Sequence, residues 1–559
     1  MLTGSVAMPR QKSRLLIGLL TLLAILFYVA VLGFAVNIPI VDDYLYLFSL
    51  TRLTDSATTL SQGFTLLLEQ HNDHRILLSR LIFLADYFVE GTLNFKTLIF
   101  VGSLSSLGIL FVIARMLNQQ SVSSWALLPV ALLLFQPSYH ANLWWALSVL
   151  QHTVSLFGYF ILFQIALKPK YTSQIGALLL ALLLLYSNSN GIFAYFAVIV
   201  LLGVQGRWIN AVVWLIIGVL FIGLYFTVGY DFRSQSSFQT IIQHPIWLVY
   251  SVVGFVGSVF YLDGYRWLLG IPSQAVVWVT GLVILGIFAL CWSFCFRQAR
   301  YRKSAPFLVL LGLSLVLLGT AGAASLTRSD GNLLLVDRYQ VYAILLLITA
   351  YLLLLFVVKK SVQQRVIVGL AVTSGLFYVN SWLQYVPDLL NKKNSLYADA
   401  WNVQTHHQSV LSNLFLMDPF WKGWLDKGLE REQYQFPQPA LSALNSALQQ
   451  ATAAASTVSF KVDSIIDPST NSTLIELANP DLVAPDFLVL QSKDKTHVLP
   501  ALRTPERNRF TLLTTGNWFR EGTRSYFYPG PLTPGSYQLG LIRLAQQPTL
   551  QWTNQFIAH

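Results

Sequence analysis

Residues 15–36 read LLIGLLTLLAILFYVAVLGFAV, and Asn37-Ile-Pro-Ile-Val-Asp-Asp-Tyr44 follows directly. An uncharged run of this length is a full membrane crossing, because about 20 apolar residues span the hydrocarbon core. Arg10, Lys12 and Arg14 precede it. Lys and Arg are retained on the cytoplasmic side, so the chain is expected to begin inside and emerge outside at Asn37. A signal peptide has a shorter apolar region, and Ala35 is a weak cleavage signal. The run therefore reads as an uncleaved signal anchor.

Further apolar stretches occur near 96–114, 123–137, 146–167, 172–187, 191–205, 208–229, 272–296, 305–326, 340–358 and 366–386. With the first, these make eleven expected spans, which puts the C-terminal region outside. The charges agree: Arg115, Lys168, Lys170, Arg207, Arg297, Arg300, Arg302, Lys303, Lys359, Lys360 and Arg365 all fall in expected inner loops, which hold no acid. Pro245–Tyr261 is also apolar, but a crossing there would move the Arg297–Lys303 loop outside. It is read as a re-entrant or interfacial helix on the outer side.

Composition points the same way. Of 559 residues, 55% are hydrophobic and 11% charged, against about 25% charged in soluble domains. Disordered, fibrous and disulfide-scaffold classes are excluded. The net charge of +11 comes from 36 basic and 25 acidic residues, but from Pro387 onward 14 of each cancel. The excess belongs to the membrane portion and has a topological cause, so no nucleic-acid partner is expected. Cys291 and Cys295 lie near an expected inner helix end with no neighbouring His or carboxylate and read as apolar filler. The lack of an outer cysteine framework fits a bacterial inner membrane.

After residue 386 the texture changes. Residues 387–456 read as a partly amphipathic helical connector. From 457 to 559, short strands such as Thr457-Val-Ser-Phe-Lys-Val462 and Phe487-Leu-Val-Leu490 alternate with turns such as Pro529-Gly-Pro531, the pattern of a small β-sandwich. The Asn471-Ser-Thr sequon would matter only in a eukaryotic secretory pathway. The fold class is thus a polytopic α-helical membrane protein over 1–386, with the helical connector and β-sandwich outside the membrane.

Chemistry concentrates in the first outer loop, 37–95. Two adjacent carboxylates at a membrane surface, Asp42 and Asp43, repel each other and are costly to desolvate. One can serve as general base on an acceptor hydroxyl, while Asp43 can instead cap a helix over Tyr44–Leu50. Glu69, His71, Asp73, His74 and Arg75 then crowd the start of an amphipathic helix over Ile76–Val89, expected to lie on the membrane. Arg75 suits a phosphate, which guanidinium binds in bidentate fashion. The others suit hydrogen bonds to a sugar or phosphate, or a solvated loop start. The spacing of His71, Asp73 and His74 permits a divalent metal without demanding one.

Three later outer turns add polar groups. His140, Asn142 and Trp144 sit in Gln136–Trp145, with Gln151 and His152 just beyond. Trp144 and Trp145 read as interfacial anchors or as sugar-stacking surfaces. Asn188 and Asn190 link two short spans, so their turn is expected below the outer surface, lining a cavity. Arg328, Arg338 and Tyr339 precede the tenth span. Arg338 at that helix start suits an anionic headgroup, or simply pairs with Asp337 at the surface.

The arrangement resembles the GT-C superfamily of integral-membrane glycosyltransferases, which take sugars from polyprenyl-phosphate carriers. In that family an acidic catalytic motif follows the first span, as Asp42-Asp43 does here, and helices lie along the membrane in the same loop, as Tyr44–Leu50 and Ile76–Val89 would. The resemblance implies a basic residue for the carrier phosphate in a later outer loop, matched by Arg338 or Arg328. It implies inverting transfer from a polyprenyl-phosphate sugar to a glycan, lipid or protein acceptor, among membrane lipids and without a nucleotide. The resemblance covers the architecture of 1–386 and does not select a subfamily. A lipid-linked glycan polymerase or ligase, a transporter or flippase, and a non-enzymatic assembly protein are the competing readings.

Overall fold

The computed structural model describes residues 10–231, 243, 245–262, 272–328, 337–411, 418–456, 465–467, 472–477, 485–528, 532–544 and 548–558. Among them, eight helices have the length and hydropathy of membrane spans: Arg14–Phe34, Phe95–Gln119, Ala146–Ala166, Trp208–Thr227, Ser273–Arg297, Ala305–Thr327, Gln340–Val357 and Lys360–His406. Tyr171–Leu185, Gly191–Val204 and Pro245–Phe260 are shorter and equally apolar. The chain is a polytopic helical membrane protein with a small C-terminal strand region. Where the sequence suggests a span over 123–137, the α-helix covers only Leu127–Leu134. Eight residues rise about 12 Å, less than half the hydrocarbon thickness.

Contacts divide the chain into two units. One comprises Met1–Gly33, Thr59–Ile82 and Leu98–Trp382; the other comprises Phe34–Thr58, Phe83–Thr97 and Leu383–His559. Much of the first loop thus folds with the C-terminal region. The remainder, around Glu69–Arg75, folds with the membrane helices.

In the helical unit, small residues set the closest helix approach. A Cβ on Gly257 would stand 1.8 Å from the carbonyl oxygen of Val277, and one on Gly281 would stand 2.3 Å from that of Val253. Lipid supplies little hydrophobic drive between helices, so small residues that admit backbone-to-backbone contact hold them together. Pro245–Gly257 is thereby fixed along Ser273–Arg297.

The helix Lys360–His406 runs unbroken past residue 386 with Pro387 inside it. Proline has no N–H for the carbonyl of Leu383, and its ring crowds that turn. In the second unit two arginines fill the gap. Arg509 donates to the Leu383 carbonyl at 3.3 Å and to Gln384 Oε1 at 2.8 Å, while Arg507 donates to the Gln384 carbonyl. Arg507 also forks onto both carboxylate oxygens of Asp388, at 3.0 and 2.9 Å. This predicts coupling. Arg509→Ala should cost about 1 kcal/mol, and less in a Pro387→Ala background, where a restored N–H takes the Leu383 carbonyl. Thermal unfolding of the four variants in a double-mutant cycle checks it; additive losses would contradict it.

Two sheets form the strand region. The first runs β3 (Ala451–Ser456), β11 (Thr549–Ala558), β10 (Ser536–Arg543), β6 (Phe487–Gln491), β7 (Thr496–Pro500). The second runs β4 (Ile465–Asp467), β5 (Ser472–Leu477), β9 (Phe519–Phe527), β8 (Leu502–Pro505). All neighbours are antiparallel except β3 and β11. The strand suggested at Thr457–Val462, the Asn471 sequon and the Pro529–Pro531 turn lie outside the described residues.

His497 on β7 is 1% exposed, and neither ring nitrogen has a hydrogen-bond partner among the described residues. Burial, with His406 and Lys495 nearby, pushes its pKa down to about 4. The unfolded chain binds this proton near the ordinary histidine value, whereas the fold refuses it until about pH 4. Stability contributed by neutral His497 is therefore lost as pH falls through that window. Protection factors of the β7 amides, taken against the intrinsic exchange rate at each pH, should fall on acidification below about pH 6.5, and His497→Phe should flatten the response. An unchanged acid response in that variant would remove His497 as the cause.

Candidate functional site

A cavity of about 300 Å³, largely apolar with a few convergent polar groups, lies within the helical unit, at the small end of the range for ligand sites. Two interruptions of helical structure build it. The first is at Trp144–Trp145, after which the chain forms a short turn at Ala146–Ser148 and a π-helical turn at Val149–Thr153 before resuming as Val154–Ala166. π turns rotate the side chains that follow and recur at functional sites. Here the turn presents His152, whose Nδ1 stands 2.8 Å from the Tyr342 hydroxyl.

The second interruption is Ser187–Asn190. Its flanking helices, Tyr171–Leu185 and Gly191–Val204, have 15 and 14 residues, too few to cross a bilayer fully. Gly191 allows the tight return, since a Cβ there would lie 2.5 Å from the Leu185 Cα. Asn190 donates to the Tyr342 hydroxyl at 3.2 Å and accepts from Tyr159 at 2.5 Å. Asn188 reaches the same Tyr342 oxygen at 3.4 Å and lies 3.3 Å from His152 Nδ1. One tyrosine hydroxyl thus gathers two amides and an imidazole. The His152 ring meets Tyr339 and Tyr342 edge-on at 5.9 and 5.6 Å.

Asp73 and His74 also line the cavity. The sequence suggests the start of a helix there, but the chain forms a hairpin of β1 (Gln70–His71) and β2 (His74–Arg75), with Asn72 at φ +48°. The amphipathic helix follows as Leu77–Glu90. His74 Nδ1 lies 3.0 Å from Ser189 Oγ, and Tyr230 donates to the Asp73 carbonyl at 2.9 Å. Among the described residues, no group of three or more His, Cys, Asp or Glu is placed to hold a metal. His71 faces its neighbour Asn72 at 3.3 Å.

Several expected site residues have structural duties instead. Arg75 is 3% exposed, and its guanidinium donates to the carbonyls of Leu68, Tyr225 (3.1 Å) and Val228 between two tyrosine rings. It satisfies the open carbonyls of two helix ends, so the phosphate role expected for it is set aside. Arg80 similarly takes the carbonyls of Leu67 and Glu69, leaving Glu69 half-buried at that helix end. Asn142 bonds Ser148 and Thr153, bracing the broken helix, and Trp144 is buried with its indole N–H on the Val31 carbonyl at 3.3 Å. Neither lines the cavity. Gln151 is buried outside the cavity lining, its amide nitrogen unpartnered among the described residues.

Arg338 is half-buried beside the cavity-lining Tyr339, 5.1 Å from its ring centroid, and its Nε has no partner among the described residues. His140 is half-buried at the start of the turn His140–Leu143. Arg328 ends its helix, but its side chain and the loop 329–336 lie outside the described residues. The lining residues that sequence reasoning missed are chiefly Tyr230, Thr320, Thr327 and Tyr342. Tyr342 was within reach, being three positions after Tyr339 on the same helix face.

Asp42 and Asp43 belong to the other unit. Asn37 opens their segment, accepting from the Phe95 N–H at 2.8 Å and donating to the Gln435 carbonyl at 3.1 Å, while its own carbonyl takes the Tyr434 hydroxyl. Val41 sits at φ +49°, a conformation that costs a β-branched residue about 1–3 kcal/mol. It leads into a 3-10 turn, Val41–Asp43, and the helix Tyr44–Leu53. Asp43 is 1% exposed; it does not cap that helix with its side chain but accepts from the Ile40 N–H at 3.3 Å. Asp42 is exposed by comparison, only half-buried. Lys392, beyond the apolar run of its helix, is electrostatically coupled to Asp43; burial pushes the lysine pKa down while the carboxylate opposes this. A buried carboxylate facing a lysine is shared by functional sites and structural ion pairs.

Compared with protein-family models, with curated proteins and with solved structures, the chain matches none.

Proposed function

We propose that the protein is a membrane glycosyltransferase of the GT-C type, transferring a sugar from a polyprenyl-phosphate donor to a glycan, lipid or protein acceptor. The observation that carries this reading is the 300 Å³ cavity, with two amides, two imidazoles and clustered tyrosines inside a unit of apolar helices. Amides and imidazoles pair with sugar hydroxyls, and tyrosine rings suit the apolar face of a pyranose. The size fits one sugar unit better than an oligosaccharide. Arg338, beside the cavity, would hold the carrier phosphate and improve it as a leaving group. On the position of the acidic pair directly after the first span, Asp43 or its neighbour Asp42 is proposed as the general base. The setting proposed is a bacterial inner membrane, with the strand region on its outer face.

Donor binding tests the cavity. Asn190→Ala should weaken binding of the polyprenyl-phosphate sugar about tenfold, the loss of one buried hydrogen bond. Unchanged affinity would take the sugar out of this cavity. Transport of a lipid-linked glycan is the second reading, favoured by the interrupted helices around buried polar groups, a feature of transporters. It predicts translocation in proteoliposomes without bond cleavage.

A further inference from the structure

We propose that the short helix Arg509–Thr515 is a lipid anchor that inserts Phe510 and Leu513 into the membrane crossed by the last span. Asn508 caps the helix, accepting from the N–H groups of Phe510 and Thr511, and Gly516 at φ +71° ends it. Leu512 is buried in its unit. Phe510 is 76% exposed and Leu513 is 71% exposed. Three positions apart, they share one helix face, and Trp518 is partly exposed just beyond.

The level of this helix is set by its own flanks. Arg507 and Arg509 bind Leu383, Gln384 and Asp388, where the apolar run of the last span ends at Val386 and polar sequence begins at Asp388. The exposed pair is therefore held at the boundary between hydrocarbon and headgroups. Of the five arginines between Arg503 and Arg524, Arg507 pairs with Asp388, Arg520 with Glu506 and Arg524 with Glu476, so the basic residues add little net charge and the apolar pair carries the insertion. Apolar insertion at this boundary is the chemistry of an interfacial anchor. It ties the strand region to the lipid surface as well as to the chain.

Spin-label accessibility of the full-length protein tests this, in nanodiscs of phosphatidylglycerol and phosphatidylcholine in equal parts. Nitroxides would be attached through Phe510→Cys, Leu513→Cys and, as control, exposed Gln491→Cys on β6, with Cys291 and Cys295 replaced by Ala. Relaxation by oxygen exceeding that by a water-soluble nickel chelate is expected at 510 and 513, and the reverse at 491. Equal chelate access at all three positions would overturn the proposal by placing the face in water. Exclusion of both reagents from 510 and 513 would overturn it in favour of a protein cover.

Discussion

Replacing Asp43 with Asn should lower sugar transfer about a thousandfold, the middle of the range for loss of a general base. The amide keeps the size and the hydrogen bond from the Ile40 N–H, so the helix Tyr44–Leu53 should still form. What it loses is the ability to accept a proton. Asp42 is half-buried, and Asp42→Asn should cost less than about tenfold, by removing only a neighbouring charge. Steady-state turnover of both variants checks this. An equal loss at the two positions would make the pair a shared electrostatic feature. Loss at Asp73→Asn with Asp43→Asn active would make Asp73 the base.

Gly257→Val should prevent Pro245–Gly257 from lying along Ser273–Arg297, because even a Cβ would overlap the Val277 carbonyl at 1.8 Å and crowd the Gly281 nitrogen at 2.6 Å. Neither atom can rotate away, since both are backbone. A loss of about 3 kcal/mol or more is expected, at the upper end for overpacking. It should appear as poor yield and a lowered unfolding temperature in detergent. Gly286, where an added Cβ would meet nothing within 4 Å, should accept Ala with little change. Comparable losses at 257 and 286 would mean the close approach does not matter.

The features legible in the sequence were those with a local physical cause. Apolar runs such as Leu15–Val36 announce themselves by length, and Leu77–Glu90 by amphipathic spacing. The turn holding Asn188 and Asn190 could be assigned to a cavity because its flanking helices are short. Features that depend on distant partners were not legible. Nothing local marks Arg75 for helix-end carbonyls or couples Lys392 to Asp43. Nor does the sequence show that Phe34–Thr58 folds with Leu383–His559 while Thr59–Ile82 folds with the membrane helices. The π turn at Val149–Thr153 was hidden for another reason, since its residues suit an ordinary helix. Asn142 and Trp144 looked like ligands because a buried polar brace and a binding group share the same residue types.

Release of free polyprenyl phosphate decides most directly between transfer and transport. Purified protein in nanodiscs would be given a panel of polyprenyl-phosphate sugars and a crude glycan acceptor, with Asp43→Asn alongside. Release from one sugar class by the parent protein, and its loss in the variant, is the expected result. No release from any donor, with or without divalent metal, would contradict sugar transfer and leave transport as the better reading.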